Sequence, residues 1–326
     1  MGKAIFVQRP GGIDAMHWEA HDPGPPREGE VRLRHEAIGL NFIDIYHRTG
    51  LYPLPKWPVI IGLEGAGIVT AVGSGVEEVR VGDRVAYAGL PTGAYAQERL
   101  IPSHRLVPLP AEIGMEQAAA IMLKGMTARY LLYGCHAVQP GDTILIHAAA
   151  GGVGSIVCQW ARHLGATVIG TVGSEEKAAY AAQRGCNHPI LYGKEDFVAK
   201  VKHLTGGEGV DVVYDSVGQA TFLRSLDCLK PLGTLVAFGQ SSGPIAPFDP
   251  SLLAAKGSLF LTRPSLMTYT ARRDDLLAHA ADLFAVIRKG AVRVEINQRY
   301  PLAEAARGHM ELESRRTTGQ SVLLPF

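Results

Sequence analysis

A glycine-rich turn near the middle of the chain constrains the fold more than any other feature of the sequence. It reads His147-Ala148-Ala149-Ala150-Gly151-Gly152-Val153-Gly154 and follows the apolar run 143–146. An apolar helical pattern then begins at Ser155. Strand, glycine turn and helix are the context that a dinucleotide site requires, because the glycines permit a tight turn and let a pyrophosphate approach the helix N-terminus. The sequence therefore predicts a nucleotide site at this turn.

The next strand-like run, 167–172, indicates which nucleotide is preferred. A NAD site usually places an acidic residue at the end of this strand, where it holds the ribose 2′-hydroxyl. Here the run ends in Gly173-Ser174, so no carboxylate would repel a 2′-phosphate. Ser174 can donate a hydrogen bond and Lys177 adds positive charge. The acids 175–176 weigh mildly against this reading, but they also suit the first turn of a helix. We therefore predict NADPH rather than NADH.

Composition and charge exclude several classes of protein. The 326 residues suffice for two domains, and the formal net charge of +1 gives no basis for binding nucleic acid or an anionic membrane surface. No apolar run reaches the roughly 18 residues that a membrane span needs. The four cysteines are widely spaced and form no C-x-x-C pair, so neither a disulfide framework nor a zinc knuckle is indicated. Since the start of the chain also lacks the apolar core of a signal peptide, we expect a cytoplasmic protein.

The order of the elements predicts two domains of different class. Up to about residue 110, short alternating runs indicate a small β-barrel, and helical patterns follow at 115–122 and 127–132. From 141 to about 262, strands and helices alternate, which predicts a doubly wound parallel sheet. Its candidate strands are 143–147, 167–172, 190–191, 210–214, 233–238 and 258–262. The remaining segment reads as a helix at about 274–289, a strand near 292–300 and a helix near 302–312.

Further motifs occur in a characteristic order along the chain. They are AIGLNFID at 37–44, RTGLYP at 48–53, GAGIV at 65–69, GDRV at 82–85, LKGMTA at 123–128, VYDSVG at 213–218, FGQSSG at 238–243 and TRPSL at 262–266. With the glycine turn, they make the chain resemble the medium-chain dehydrogenase/reductase superfamily, and within it the zeta-crystallin-like quinone oxidoreductases. The resemblance covers essentially the whole chain. It implies an α/β protein with a GroES-like β-barrel catalytic domain at 1–125 and 267–326 and a Rossmann domain at 126–266.

The resemblance also implies which residues contact the cofactor. Four of the groups follow independently from topology, because ligands of a doubly wound sheet bind just past the carboxyl ends of its strands. Those groups are 173–174, 215–218, 239–241 and 263–265. The full set of expected NADPH contacts is Asn41, Phe42, Ile43, Asp44, Tyr46, Tyr130, Gly151, Gly152, Val153, Gly173, Ser174, Lys177, Tyr192, Ser216, Phe238, Gly239, Gln240, Ser241, Arg263, Pro264, Ser265 and Arg316.

Two positions argue against a catalytic metal. Zinc-dependent relatives carry a cysteine three residues before an aspartate and a histidine in a Gly-His-Glu sequence; here these places hold Asn41 and Leu63. A catalytic zinc needs about three protein ligands, so we expect no metal. Reduction of an electron-poor quinone needs no Lewis acid, since proximity and polar groups near the acceptor suffice. The candidate catalytic residues are Asn41, Tyr46, Tyr52, Lys124 and Thr127.

Three functions stay open at the level of the sequence. The first is NADPH-dependent quinone reduction, and the second is reduction of a 2-alkenal or enoyl substrate on the same scaffold. The third is a pyridine-nucleotide-binding protein without catalysis, since members of the resembling family serve as lens crystallins or RNA binders; the near-neutral charge weighs against RNA. We also predict a homodimer, because the apolar run 258–262 would form the last strand of the sheet and its open edge invites pairing with a second copy.

Overall fold

The computed structural model describes residues 2–326, which divide into two compact units. The N-terminal unit holds the described residues up to Met126 together with Tyr269–Phe284 and Val294–Phe326. The central unit holds Thr127–Thr268 and Ala285–Arg293. The sequence-based bounds place 285–293 in the first domain instead. The side-chain amide of Gln159 explains the difference, because it accepts from the Arg293 N–H at 2.8 Å and donates to the Arg293 carbonyl at 3.2 Å.

The described residues form sixteen strands and ten α-helices. The strands are β1 (Gly2–Val7), β2 (Met16–His21), β3 (Glu30–Gly39), β4 (Val59–Ile60), β5 (Glu64–Val72), β6 (Arg84–Ala88), β7 (Glu98–Pro102), β8 (Val107–Pro108), β9 (Thr143–Ile146), β10 (Thr167–Val172), β11 (His188–Leu191), β12 (Val210–Asp215), β13 (Leu229–Ala237), β14 (Phe260–Thr262), β15 (Ile296–Pro301) and β16 (Gln320–Leu324). The α-helices are α1 (Phe42–Thr49), α2 (Met115–Tyr130), α3 (Gly152–His163), α4 (Glu175–Gln183), α5 (Phe197–Leu204), α6 (Phe222–Leu226), α7 (Ser251–Ala255), α8 (Leu266–Tyr269), α9 (Arg273–Arg288) and α10 (Ala305–Glu313).

The N-terminal unit is built on two sheets. A small sheet has the order β2-β1-β4, and a larger one has the order β15-β16-β3-β5-β6-β8, with β7 also pairing with β3. Inward and outward side chains alternate along β3, where Val31 and Leu33 are buried, as expected for a strand with one face on a core. The β-rich prediction for this part is confirmed, but helix α1 was not predicted. Asn41 begins that helix, and its N–H donates to the Asp44 carboxylate one turn on.

The central unit is one parallel sheet with helices between its strands. Its order is β11-β10-β9-β12-β13-β14, and every neighbouring pair is parallel. The doubly wound sheet predicted from the alternation is confirmed. Since the strand order reverses between β9 and β12, the turn after β9 lies at the carboxyl edge where such sheets bind ligands.

Helix α2 corrects one sequence prediction. The pattern indicated two helices, at 115–122 and 127–132, but the structure has a single helix that continues through Gly125 into a π-helical turn at Leu131–Cys135. Packing explains why a glycine stands inside this helix: a β-carbon on Gly125 would lie 2.5 Å from Leu283 Cδ1. The glycine therefore marks a close helix contact rather than a break.

The C-terminal segment returns to the N-terminal unit, as expected. Helix α9, strand β15 and helix α10 correspond to the predicted elements, although β15 begins at Ile296 rather than near 292. Strand β16 was not predicted; it pairs with β15 in parallel and places Val322 opposite Gly39 of β3. Among the helices of residues 2–326, none is both long enough and apolar enough to cross a membrane.

Candidate functional site

The glycine turn adopts the geometry that a dinucleotide site requires. Strand β9 leads into the turn, where Ala148 takes a left-handed conformation with φ of 56°, and α3 begins at Gly152. A β-carbon on Gly154 would collide with the carbonyl oxygen of Ala148 and lie 2.8 Å from Ala149 Cα. The N-cap residue Gly151 has no side chain that could cap α3 itself. The helix end therefore presents its partial positive charge at the edge of the sheet.

The end of β10 brings the predicted specificity residues together. Ser174 begins α4, and its Oγ accepts the Lys177 N–H at 3.2 Å. Because that bond uses Ser174 as an acceptor, its hydroxyl proton can still be donated to a ligand. The hydroxyl of the half-exposed Tyr192 would lie 2.9 Å from a β-carbon on Gly173, so this tyrosine stands directly over the strand end. The acidic residue that a NAD site places at this strand end is absent here, because positions 173 and 174 are Gly173 and Ser174.

Asp215 organises the carboxyl end of β12. Its buried carboxylate accepts the N–H groups of Val217 and Gly218 at 2.8 and 3.0 Å and the hydroxyls of Thr221 and Ser225. Those bonds fold residues 215–221 into a tight turn at the strand end. The turn presents Ser216 at the carboxyl edge of the sheet.

Two neighbouring segments lie against this turn. Gly239 approaches it so closely that a β-carbon would lie 2.6 Å from the Ser216 carbonyl oxygen, which accepts the Ser241 N–H at 3.1 Å. The exposed Arg263 donates to the carbonyls of Ala237 and Gly239 at 2.8 and 3.0 Å. The structure therefore brings the predicted residues at the ends of β12, β13 and β14 to one edge.

His147, the first residue after β9, contacts strand β10 and helix α6 through its ring. Its Nδ1 lies 2.9 Å from Thr171 Oγ1, and its Nε2 lies 3.0 Å from Ser225 Oγ. Because Ser225 donates its only proton to Asp215, Nε2 of His147 is the donor and Nδ1 accepts from Thr171. Burial lowers the pKa of His147, which agrees with this neutral ring.

In the N-terminal unit, Glu64 joins two of the predicted catalytic residues. It is fully buried at the start of β5. Its Oε2 accepts from Asn41 Nδ2 at 2.8 Å and from Lys124 Nζ at 3.3 Å, and its Oε1 accepts the Leu123 N–H at 2.6 Å. Asn41 and Lys124 lie 83 positions apart in the chain yet share one carboxylate oxygen. We call Glu64, Asn41, Lys124 and the Leu123 N–H the Glu64 cluster.

A second buried network lies beside α1. The Asp44 carboxylate accepts from the Asn41 N–H at 2.9 Å and from the Tyr95 hydroxyl at 3.0 Å, and His309 Nε2 lies 2.9 Å from that hydroxyl. Burial raises the pKa of Asp44 to about 7, outweighing these hydrogen bonds and the Lys124 charge. Burial, assisted by Arg48, lowers the pKa of His309 to about 3. Because Asp44 has no exposed surface, its expected cofactor contact stays a prediction.

The predicted aromatic residues Phe42, Tyr46 and Tyr52 form a cluster of mutually tilted rings, here called the aromatic cluster. The rings of Tyr46 and Tyr52 lie 4.9 Å apart, and Phe42 lies 5.3 Å from Tyr46. The Tyr52 N–H donates to the Tyr46 carbonyl at 3.1 Å, which fixes the loop after α1. Phe42 and Tyr52 are part-buried, so their rings offer an apolar face to a planar ligand.

Thr127, Tyr130 and Arg316 are further predicted site residues. Thr127 and Tyr130 are buried near the end of α2 in the central unit. Arg316 belongs to the N-terminal unit, where its Nε donates to Ser314 Oγ at 3.0 Å. Their assigned roles stay predictions.

Sequence reasoning missed Glu64, Tyr95 and His309 as members of these networks, and it named Asp215 only within the group 215–218. A signal for Glu64 existed in its position directly after Gly62-Leu63 in an apolar stretch. A glutamate in such a stretch is rarely buried unless it is paired, so it would have suggested a partnered carboxylate. Tyr95 and His309 lie 214 positions apart, and no local pattern links them.

Comparison with known proteins places the chain in a family. Residues 27–111 match the GroES-like domain of alcohol dehydrogenases, and residues 152–282 match the zinc-binding dehydrogenases. The quinone oxidoreductase of Pseudomonas aeruginosa is 51% identical over 100% of both chains. The chain belongs to the quinone oxidoreductases of the medium-chain dehydrogenase/reductase superfamily. The GroES-like and Rossmann fold implied by the sequence motifs is confirmed.

Two further members of the family inform the chemistry. The crystal structure of the Escherichia coli quinone oxidoreductase, solved in complex with NADPH, superposes with a TM-score of 0.97 at 46% identity and covers 99% of this chain and all of that one. The 2-haloacrylate reductase of a Burkholderia species is also 46% identical, over 100% of this chain and 99% of its own. The scaffold therefore serves more than one acceptor class among close relatives.

The zinc named in the matching family does not fit the residues of this quinone oxidoreductase. Leu63 offers no ligand atom, and the Asn41 amide nitrogen is a hydrogen-bond donor to Glu64. Glu64 is itself engaged by three donors. Within residues 2–326, no group of three or more histidine, cysteine, aspartate or glutamate side chains is close enough to hold a metal ion. We derive no step through zinc.

Proposed function

We propose that this chain reduces quinones with NADPH and without a metal. The observation that carries the proposal is the combination of an intact dinucleotide turn with a polar cluster where zinc-dependent relatives carry ligands. The turn fits a nucleotide because Gly154, whose β-carbon would meet the Ala148 carbonyl oxygen, lets α3 pack closely on the turn and bring its N-terminus to the edge of the sheet. When bound, the reduced nicotinamide supplies the hydride. What the protein supplies is binding, orientation and a polar setting for the charge that develops.

The central unit binds and orients the cofactor. The N-terminus of α3 and the glycine turn hold the pyrophosphate, where backbone N–H groups face negative charge. Ser174, Lys177 and Tyr192 recognise the 2′-phosphate, since no acid at the end of β10 repels it. Ser216 and the ends of β13 and β14 support the nicotinamide half.

The N-terminal unit holds the acceptor. The aromatic cluster of Phe42, Tyr46 and Tyr52 binds the flat ring of a quinone through apolar ring surface. Asn41 and Lys124 direct N–H donors toward an acceptor oxygen. Reduction of the quinone takes up one hydride and one proton; no buried acid is required for the proton, because the hydroquinone anion can take it from water.

A second activity is favoured by one relative. Reduction of an activated C=C bond, as in a 2-haloacrylate, uses the same hydride donor and the same need to stabilise a developing oxyanion. The two activities differ in the acceptor, which is a neutral flat ring in one case and a small carboxylate in the other. The aromatic cluster favours the quinone ring.

Steady-state turnover decides between these functions. NADPH oxidation is measured with 1,4-benzoquinone, 2-chloroacrylate and a 2-alkenal, and each assay is repeated after extended dialysis against a chelator. We expect the quinone to give the highest kcat/KM and dialysis to leave it unchanged. A higher value with 2-chloroacrylate favours the second activity. Background turnover with every acceptor, while NADPH binds tightly, supports the non-catalytic function, and loss of turnover on dialysis contradicts the metal-free mechanism.

A homodimer is proposed through the open edge of the central sheet. Strand β14 pairs only with β13 among the described residues, and Phe260 and Leu232 expose 60% and 65% of their surface. Two such edges can join across a two-fold axis. Light scattering at micromolar concentration tests this. A mass near 34.9 kDa contradicts the dimer, and Phe260→Lys should shift a dimer toward that mass. A cytoplasmic location is also proposed, in keeping with four free cysteines.

A further inference from the structure

The Glu64 side chain is enclosed by the protein, beside a glycine that leaves room for it. Its side chain has no exposed surface, and a β-carbon on Gly39 would lie 2.5 Å from both the Glu64 carboxyl carbon and the Ala119 carbonyl oxygen. A carboxylate removed from water needs hydrogen-bond partners or a counter-charge to be tolerated. Three donors from two separate segments, Asn41 before α1 and Leu123-Lys124 in α2, meet that need.

The cluster determines where the Lys124 ammonium lies. A lysine head group on its four-carbon stem is otherwise mobile. Here Nζ donates to Glu64 Oε2 at 3.3 Å and to the Ala120 carbonyl at 3.4 Å, and only 6% of the residue is exposed. An ammonium carries three N–H donors, and the described residues accept two of them. The third donor is available to an acceptor oxygen.

Asn41 is held beside that ammonium by the same oxygen. Its Nδ2 donates one proton to Glu64 Oε2 at 2.8 Å and carries a second. Two N–H donors therefore converge around one carboxylate oxygen, each with a proton in reserve. Donors fixed before the reaction stabilise a developing oxyanion more than donors that must reorient.

We propose that Glu64 is a positioning residue that holds Lys124 and Asn41 as a pair of donors for the acceptor oxygen during hydride transfer. The inference rests on the proposed function. In the step, a C–H bond to the donor carbon breaks, its two electrons pass with the hydrogen to the quinone, and one quinone oxygen gains the negative charge. That oxyanion takes one proton from water to complete the hydroquinone. Glu64 itself neither gains nor loses a proton.

Glu64→Gln tests the proposal. The glutamine NH₂ group cannot accept a hydrogen bond. In one orientation of the amide the Leu123 N–H loses its acceptor, and in the other orientation Asn41 and Lys124 lose theirs. The rate of hydride transfer is measured in single turnovers, by the loss of NADPH absorbance, over a series of 1,4-benzoquinones of decreasing electron affinity. A purely structural role would lower every rate by the same factor. Loss of oxyanion stabilisation should be worst for the electron-rich quinones, whose oxyanions are the most basic.

We expect a loss of about tenfold or more that grows along the series, with an unchanged Kd for NADPH from fluorescence titration. Glu116→Gln is the matched control, because it makes the same change at an exposed pair with Arg299, on the helix α2 that carries Lys124. Glu64→Asp keeps the charge, so its dependence of rate on quinone electron affinity should lie between those of Glu64→Gln and wild type. A uniform loss along the series, or no loss, overturns the proposal.

Two further measurements keep the result interpretable. Lys124→Met removes the ammonium but leaves Glu64 two neutral donors, and it should steepen the same dependence; a folded Lys124→Met protein with the wild-type slope overturns the proposal even if Glu64→Gln fails to fold. Hydrogen exchange at the Leu123 amide reports the cluster without turnover, and Glu64→Ala should speed it. If wild-type protein reduces no quinone, the proposed function fails; if it does and the slopes coincide, only this inference fails.

Discussion

The carboxylate of Glu64 fills the space where a β-carbon of Gly39 would lie. Strand β3 ends at Gly39 and β5 begins at Glu64, and the two strands are antiparallel neighbours in the larger sheet of the N-terminal unit. The absence of a side chain at the end of one strand therefore permits a buried charge at the start of the next. That charge in turn joins Asn41 to Lys124.

Gly39→Ala should destabilise the protein. The added methyl group meets the Glu64 carboxylate and the Ala119 carbonyl, neither of which can move without breaking the cluster. Overpacking of this kind lowers the free energy of unfolding by about 1–3 kcal/mol. Urea denaturation measures it, with Gly114→Ala as the control, because a β-carbon there meets no atom within 4 Å. Equal midpoints for the two variants would contradict the packing argument.

Gly154→Ala should weaken NADPH binding while leaving the fold intact. Its β-carbon meets backbone atoms of Ala148 and Ala149, so the turn itself must shift. A strain of about 1–3 kcal/mol at the binding site corresponds to a rise in Kd of about fivefold to a hundredfold. Fluorescence titration of NADPH measures the affinity, and circular dichroism checks the fold. An unchanged Kd would place the pyrophosphate elsewhere.

Lys177→Ala should change cofactor preference. If Lys177 contacts the 2′-phosphate, loss of a charge-assisted hydrogen bond is worth about 1.5–3 kcal/mol, and KM for NADPH should rise on the order of tenfold or more. KM for NADH should barely change, since NADH lacks that phosphate. Lys200→Ala is the control, because Lys200 on helix α5 already pairs with Glu195, which precedes that helix. Equal shifts of both KM values would refute the assignment.

Stability should rise with pH between about 4.5 and 6.5. Burial lowers the pKa of His35 and His309 to about 3 and that of His47 to about 4, while the unfolded chain protonates histidine near the ordinary value of 6.5. The unfolded state thus binds more protons in this range, and stability falls as the pH drops. Asp44 has the opposite effect. Its pKa is raised from 3.8 to about 7, so between these values the folded state holds a proton that the unfolded state has lost, and its contribution to stability falls as the pH rises. Three histidines should outweigh one aspartate.

Urea midpoints measured from pH 4.5 to 7.5 check this balance. His309→Gln should flatten the rise, whereas His104→Gln, at an exposed position, should not alter it. Asp44→Asn should make the rise steeper, since it removes the opposing contribution. A midpoint that does not depend on pH in wild-type protein would show that the buried histidines are protonated in the fold.

Local patterns predicted much of the nucleotide half of the site. The glycine turn, the strand candidates and the residues just past them follow from periods and turns within a few residues, because a βαβ unit is built from local elements. Ser174 and Lys177 could be named for the same reason. Helix α1 and strand β16 escaped prediction, since one depends on the Asn41–Asp44 contact and the other on pairing with β3.

By itself, the sequence determined the family, the α/β fold and the candidate residues Asn41 and Lys124. Only the tertiary structure decided that these two share an oxygen of Glu64, and that Asp44, Tyr95 and His309 form one buried network. The physical reason is distance along the chain. Periodicity and turn chemistry act over a few residues, whereas a buried carboxylate finds its donors only after β3, β5 and α2 have packed together and excluded the water that would otherwise solvate it.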